Sequence, residues 1–279
     1  MIVVGADGSA AARDAVERAA DDAFRMRVPL RVVHAVDRSP YQIHKFPAPW
    51  LPDMLTGEAR RILREAADVA RERQPSIEVT TQIVEGLPVP VLRDQDNGAT
   101  EIVLGCRGLG GFAGALLGSV STQVAGHVRC PVVVIRGERR PVRGEIVVGV
   151  DDSPECEPAL AYAFEQARLR GATLRVLHAW QLPVQVSGAG YDLDEVRAAQ
   201  YRLVSDRVRV FAGDYPEVKV LEEAPSAHPV DALTAASDQA DLLVVGSHGR
   251  GGLKAALLGS VSRGVLHHAR CPVAVIRSA

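Results

Sequence analysis

The sequence predicts an α/β protein made of two tandem copies of a five-stranded parallel sheet with helices on both faces. Three observations predict it: the chain repeats itself, β-branched runs alternate with Ala/Arg/Glu-rich stretches, and the central strands read as unbroken apolar runs. The repeat is read off directly. IVVGADGS at 2–9 returns as IVVGVDDS at 146–153, and LRVVHA at 30–35 as LRVLHA at 174–179, both 144 positions on. GCRGLGG at 105–111 returns as GSHGRGG at 246–252, LLGSVS at 116–121 returns at 257–262, and RCPVVVIR at 129–136 returns as RCPVAVIR at 270–277, each 141 positions on. The second copy thus lacks three residues between its second strand and its glycine-rich segment, where a variable loop belongs. The junction is the charged, proline-containing stretch GERRPVRG, which gives a first domain over 1–137, a linker over 138–144 and a second domain over 145–279.

Within the first copy the elements follow in order. The β-branched run at 2–5 is a strand, and the alanine-rich stretch at 11–25 is a helix behind Ser9. A second strand at 30–35 leads to a helix at 57–73, rich in Ala, Arg and Glu. A strand at 79–84 and a short helix at 89–96 come next. The fourth strand, 102–105, is continuously apolar through Val103 and Leu104, as Val244 and Val245 are in the second copy; such runs belong to strands buried on both faces. A helix at 119–127 and an apolar strand at 132–135 close the copy. The closing strands, 132–135 and 273–276, suit sheet edges available for pairing; a pseudo-twofold pair of the domains within the chain is expected, and chains can pair further as a homodimer.

Composition narrows the function. The 279 residues are 47% hydrophobic, 24% charged and 4% aromatic, with a formal net charge of −2. A protein that grips nucleic acid or an anionic membrane needs a clustered basic face, so neither partner is expected. The longest basic run, Arg139, Arg140 and Arg143, is broken by Pro141 and reads as a solvated linker. Met1 is followed at once by Ile2, Val3, Val4 and Gly5, without the pattern of a secretory signal, and no apolar stretch approaches the ~20 residues of a membrane span. A cytoplasmic location is expected. Cys106, Cys130, Cys156 and Cys271 form no CxxC pair and have no metal-ligand spacing with histidine.

In an open parallel sheet the ligand crevice lies beyond the carboxyl ends of the strands. Candidate chemistry is therefore sought there. The first strand of each copy runs into Gly5-Ala6-Asp7-Gly8-Ser9 and Gly149-Val150-Asp151-Asp152-Ser153. Ser9 and Ser153 suit helix N-caps, while Asp7 and Asp151 suit a ribose hydroxyl or a phosphate-bound Mg²⁺. The fourth strand runs into Gly105, Cys106, Arg107, Gly108, Leu109, Gly110 and Gly111, and into Gly246, Ser247, His248, Gly249, Arg250, Gly251 and Gly252. Glycines there allow positive φ and close approach of a ligand to bare amides. Further on, Gly118, Ser119, Val120 and Ser121, and Gly259, Ser260, Val261 and Ser262, open the last helix of each copy, where free amides and the dipole suit phosphate. The pattern is no Walker P-loop, since none of Lys45, Lys219 and Lys254 stands before the Ser/Thr, and it is not the dinucleotide fingerprint.

The spacing G-x2-G-x9-G-[ST], carried by Gly105, Gly108, Gly118-Ser119 and by Gly246, Gly249, Gly259-Ser260, resembles the ATP-binding motif of the universal stress protein family. The opening VVG-x-D-x-S, the strand ends His34-Ala35 and His178-Ala179, and the closing CPVVVIR and CPVAVIR extend the resemblance along both copies. It implies a Rossmann-like, adenine nucleotide alpha hydrolase-like fold with one ATP site per domain and Mg²⁺ on the phosphates. It further implies that Gly5, Asp7 and Ala35, with Gly149, Asp151 and Ala179, line the adenosine side. The loops at 105–111 and 246–252 would wrap ribose and phosphates, and 118–121 and 259–262 would hold the phosphate tail. The first copy departs from the family pattern, with Cys106-Arg107 for Ser247-His248 and Leu109 for Arg250; an arginine offers phosphate a planar fork that leucine lacks, so the second site is expected to bind more tightly. His248 reads as a ribose or phosphate contact, and His34 and His178 as hydrogen-bonding residues at the core's edge. The role expected is a nucleotide-dependent regulator of a stress or growth-arrest response. The alternative, a slow ATPase or a nucleotidyl or phosphoryl transferase, needs a positioned base or second catalytic group that neither site supplies in sequence.

Overall fold

The computed structural model describes residues 1–38, 50–108, 117–136, 140–182, 192–249 and 258–278. The chain divides into two compact units, Met1–Ile135 and Arg136–Ala279. In the first, β1 (Ile2–Gly5), α1 (Ala10–Met26), β2 (Leu30–Val36), α2 (Leu51–Arg73), β3 (Val79–Glu85), α3 (Pro88–Arg93), β4 (Glu101–Gly105), α4 (Ser119–Ala125) and β5 (Val132–Ile135) follow in sequence. The strands lie in the order β3-β2-β1-β4-β5, and every pair is parallel. The second unit repeats this plan with β6 (Glu145–Gly149), α5 (Glu157–Arg170), β7 (Thr173–Leu177), α6 (Leu193–Ala212), β8 (Val220–Glu223), α7 (Pro229–Ala236), β9 (Leu242–Gly246), α8 (Ser260–His268) and β10 (Val273–Ile276), ordered β8-β7-β6-β9-β10.

The expected strands are all present. Ile102 and Val103 in β4, and Leu242, Leu243 and Val244 in β9, are fully buried, as continuous apolar runs require. Each such side chain contributes about 1.5–3 kcal/mol by leaving water. On α1 the buried positions Ala12, Ala15, Val16, Ala19, Ala20 and Ala23 recur at helical spacing. Ser9 starts that helix by accepting from the Ala12 amide, and Arg27 ends it in the left-handed conformation at φ 55°. The second copy places Gly171 at the same turn, at φ 59°.

Three helices differ from expectation. α2 begins six residues earlier than 57, because Pro52 fits a first turn, where its missing N–H costs nothing. α3 stops at Arg93 instead of 96, since Asp96 turns its carboxylate to the amides of Arg129 and Cys130. α4 stops at Ala125, ahead of Gly126. Among the described residues no helix is long and apolar enough to cross a membrane.

Candidate functional site

Strand order reverses between β1 and β4 in the first unit and between β6 and β9 in the second, which opens a crevice at the carboxyl ends of these strands. Ala6, the residue that leaves β1, is held at both its backbone groups: its amide donates to Val33 O at 2.9 Å, and its carbonyl oxygen lies 2.6 Å from His34 Nδ1. Asp7 follows, accepting from the Ser9 amide at 3.0 Å. Gly8, at φ 84°, supplies the left-handed turn that brings Ser9 to the head of α1.

The second unit keeps the first part of this arrangement and alters the rest. The Val150 amide donates to Leu177 O at 3.0 Å, and Val150 O lies 2.9 Å from His178 Nδ1. Asp151 then accepts from both the amide and the hydroxyl of Ser153, at 3.1 and 2.5 Å. Ser153 therefore does not cap a helix, contrary to the expectation for it. Its hydroxyl is committed to Asp151, and a 3-10 turn, Pro154–Cys156, intervenes before α5. Asp152 replaces Gly8 here.

Positive φ is not what the glycines of the loop motif supply, although it is part of what their sequence pattern suggests. Gly105, Gly108, Gly118, Gly246, Gly249 and Gly259 all lie outside the left-handed region; close approach is what requires them. A Cβ on Gly105 would fall 2.7 Å from the backbone of Ala11, and one on Gly108 would fall 2.5 Å from Asp7 Oδ2. Gly249 stands in the same relation to Asp151 Oδ2, also at 2.5 Å. A Cβ on Gly5 would meet the Leu104 side chain at 2.8 Å, and one on Gly149 the Leu233 side chain at 3.0 Å, so these two glycines serve packing beneath the crevice. Leu109, Gly110, Gly111, Arg250, Gly251 and Gly252 lie outside the described residues.

Beside these loops stand the heads of α4 and α8. The Gly118 amide donates to Cys106 O at 2.6 Å and the Gly259 amide to Ser247 O at 2.8 Å, which ties each helix start to its loop. The first amides to bond within the helices are those of Thr122 and Arg263. Those of Ser119, Val120 and Ser121, and of Ser260, Val261 and Ser262, have no carbonyl a turn earlier in the helix to accept them. Ser119 and Ser260 are exposed, whereas Ser121 and Ser262 are each 2% exposed. The buried hydroxyls donate inward, Ser121 to Gly118 O and Ser262 to Gly259 O and Ser247 O, and so hold the turn. Ser247 Oγ lies 3.0 Å from His248 Nδ1, while Arg107 is exposed and Cys106 buried in the first copy.

Ala35 pairs with Val84 in the β2–β3 register, and Ala179 follows His178 just past β7. Sequence reasoning gives no role to the groups next to them: the Arg38–Glu85 ion pair in the first unit, and Trp180 in the second, whose indole N–H donates to Ala224 O at 2.9 Å. It also misses what His34 and His178 hold, although the recurring LRVxHA segment is a signal. Among the described residues no three His, Cys, Asp or Glu side chains group to hold a metal ion. A groove of about 340 Å³ between Pro90, Arg93, Asp94, Asp96, His127 and Val128 lies at the other end of the strands and takes no part.

A model of the Universal stress protein family matches residues 1–136 and 143–277. A universal stress protein of Mycobacterium tuberculosis (strain ATCC 25618 / H37Rv) is 37% identical over 288 residues, covering 99% of this chain and 96% of the relative. A second from the same strain is 37% identical over 287 residues with the same coverage. The crystal structure of a universal stress protein from Archaeoglobus fulgidus DSM 4304 matches with a TM-score of 0.75 at 21% identity, over 100% of this chain and 96% of that one, a likeness of fold.

Proposed function

Because the chain belongs to the universal stress protein family in two tandem copies, we propose that each unit binds one adenine nucleotide, ATP, and that occupancy regulates a stress or growth-arrest response. One observation carries this reading. In both units a carboxylate, a glycine loop pressed against it and a helix head whose first amides have no carbonyl within the helix to accept them meet at the strand-order reversal. Asp7 and Asp151 take a ribose hydroxyl, with Ala35 and Ala179 beside the adenine. The amides of 119–121 and 260–262 take phosphate oxygens, with the hydroxyls of Ser119 and Ser260 facing them. Ser121 and Ser262 serve by holding those amides in place. Mg²⁺, which would neutralise phosphate charge, fits only as a passenger of the nucleotide, with Asp7 or Asp151 as its protein oxygen; a single carboxylate does not hold the ion.

Binding acts by linkage. A nucleotide at a hundred times its dissociation constant adds about 2.7 kcal/mol to the state that holds it, enough to shift a loop or an association equilibrium about a hundredfold. The test is to denature purified protein, identify any released nucleotide by mass, and titrate ATP into stripped protein in a calorimeter. Adenine nucleotide in the extract and two sites per chain are expected. No released nucleotide together with no heat of binding would refute the reading. Phosphate release measured in the same samples separates regulation from the ATPase alternative, and the solution mass tests the homodimer.

A further inference from the structure

We infer that His34 and His178 are positioning residues of the two sites: each fixes, by an Nδ1–H bond to the preceding peptide carbonyl, the direction in which the crevice aspartate leaves its strand. The inference rests on the nucleotide reading. Its geometry appears twice. Ala6 and Val150 each donate an amide to the neighbouring strand and receive a histidine ring on the carbonyl of the same residue. With the N–H and the C=O of Ala6, or of Val150, both bonded, the two peptides that flank this residue are fixed in orientation, the second of them through the histidine alone, and the carboxylate that follows is held against Gly108 or Gly249.

A carbonyl carries no proton, so the proton of the bond belongs to Nδ1. In the second unit Nε2 lies 3.0 Å from the side-chain amide of Gln200 (Oε1), on α6, which can serve the ring as either donor or acceptor, since the two ends of such a group are interchangeable in position. His178 is 1% exposed, so both of its nitrogens must be satisfied by protein. The ring consequently links α6 to the peptide that carries Asp151. His34, half-buried, holds the peptide that carries Asp7 from β2.

Two substitutions at each histidine separate positioning from packing. His178→Asn places an amide N–H where Nδ1 was and keeps the bond to Val150 O. His178→Gln places its amide near the former Nε2, keeps a partner for Gln200 and loses that bond. Both remove the ring. Calorimetric titration with ATP is expected to show near-native affinity at the second site in the Asn variant and about tenfold weaker binding in the Gln variant, the equivalent of one hydrogen bond. The half-buried pair His34→Asn and His34→Gln repeats the comparison at the first site, where loss of folding is less of a risk. Histidine ¹⁵N shifts in the native protein should report protonation at Nδ1 in both rings. Equal affinity of Gln and Asn variants, or a ring with no proton on Nδ1, overturns the inference while leaving nucleotide binding standing; absence of binding in the native protein overturns both.

Discussion

Gly249→Ala separates the geometry of the loop from the chemistry of its ligand. The added methyl carbon would lie 2.5 Å from Asp151 Oδ2 and 3.6 Å from its Cγ, whereas ordinary contact begins near 3.4 Å. Gly249 is not left-handed, so no backbone strain accompanies the change. The carboxylate must retreat by about 0.9 Å or rotate, yet it is held by the Ser153 amide at 3.1 Å and the Ser153 hydroxyl at 2.5 Å. Losing one hydrogen bond to a charged group costs about 1.5–3 kcal/mol. Transferred to binding, that is roughly a tenfold to hundredfold loss at the second site. The assay is calorimetry on stripped protein with ATP and Mg²⁺, resolving two sites, with a melting curve beside it. The expected result is one weakened site, one native site and a melting temperature within a few degrees of native. Two native affinities in this variant would refute the role given to Asp151 and to the contact that shapes it.

Other substitutions test the scaffold. Gly57→Ala, in the interior of α2 with open space around it, should stabilise the protein by about 0.5–1 kcal/mol in urea unfolding, because alanine loses less backbone entropy. Arg27→Gly should add about 1 kcal/mol by relieving a left-handed residue that carries a side chain, as Gly171 does in the second copy. Gln166 is 1% exposed and among the described residues neither of its amide atoms has a hydrogen-bond partner, so Gln166→Met should stabilise by about 1–2 kcal/mol, read as a raised urea midpoint. Burial pushes the Asp96 carboxyl up, but the amides of Cys130 and Arg129 outweigh it and hold the group below its usual range. That stabilisation is full above the unfolded carboxyl value, about 3.9, and is lost as pH falls through the lower folded value. Asp96→Asn should flatten the acid limb of stability measured between pH 7 and pH 3; an unchanged limb would exclude this carboxyl as its source.

Most strands were legible as runs rich in β-branched residues, and β1, β2 and β5 also because the same run returns in β6, β7 and β10; β8, Val220–Glu223, carries a single β-branched residue and does not repeat β3. The site glycines were legible by spacing, but the reason for them was not. Spacing marks Gly108 and Gly249; only the fold shows that a carboxylate from another strand fills the volume a side chain would need. Ser153 misleads for a related cause. Its sequence context suits an N-cap, and whether its hydroxyl turns to the helix or back to Asp151 depends on the path of the chain through Asp152 and Pro154. His34 and His178 carried a sequence signal, their recurrence, without any indication of the atom each would meet. Helix ends shifted where a capping group far along the chain, such as Asp96 beneath Cys130, competed with local propensity.

The two copies also allow the fold's own needs to be separated from the site's. In α1 the buried Asp22 is bonded to Arg18 and Arg25, both at 2.8 Å; 144 positions on stand Gln166, Tyr162 and Leu169, so the second copy has no charges there to pair in this way. Asp96 accepts the amides of Arg129 and Cys130, and in the second copy the hydroxyl of Ser237 accepts that of Arg270. The scaffold thus reaches the same strand order through different polar contacts. Two contacts of the crevice recur in both units while its other groups change: the histidine-to-carbonyl bond, and an aspartate oxygen that would lie 2.5 Å from a Cβ on the loop glycine. Neither aspartate is buried, so their shared placement adds little to packing. A role confined to stability would leave Asp7→Ala and Asp151→Ala with shifted unfolding midpoints and native ATP affinity. A ligand-facing role requires the reverse, near-native unfolding and loss of affinity at the substituted site alone, and measuring both quantities on each variant decides between them.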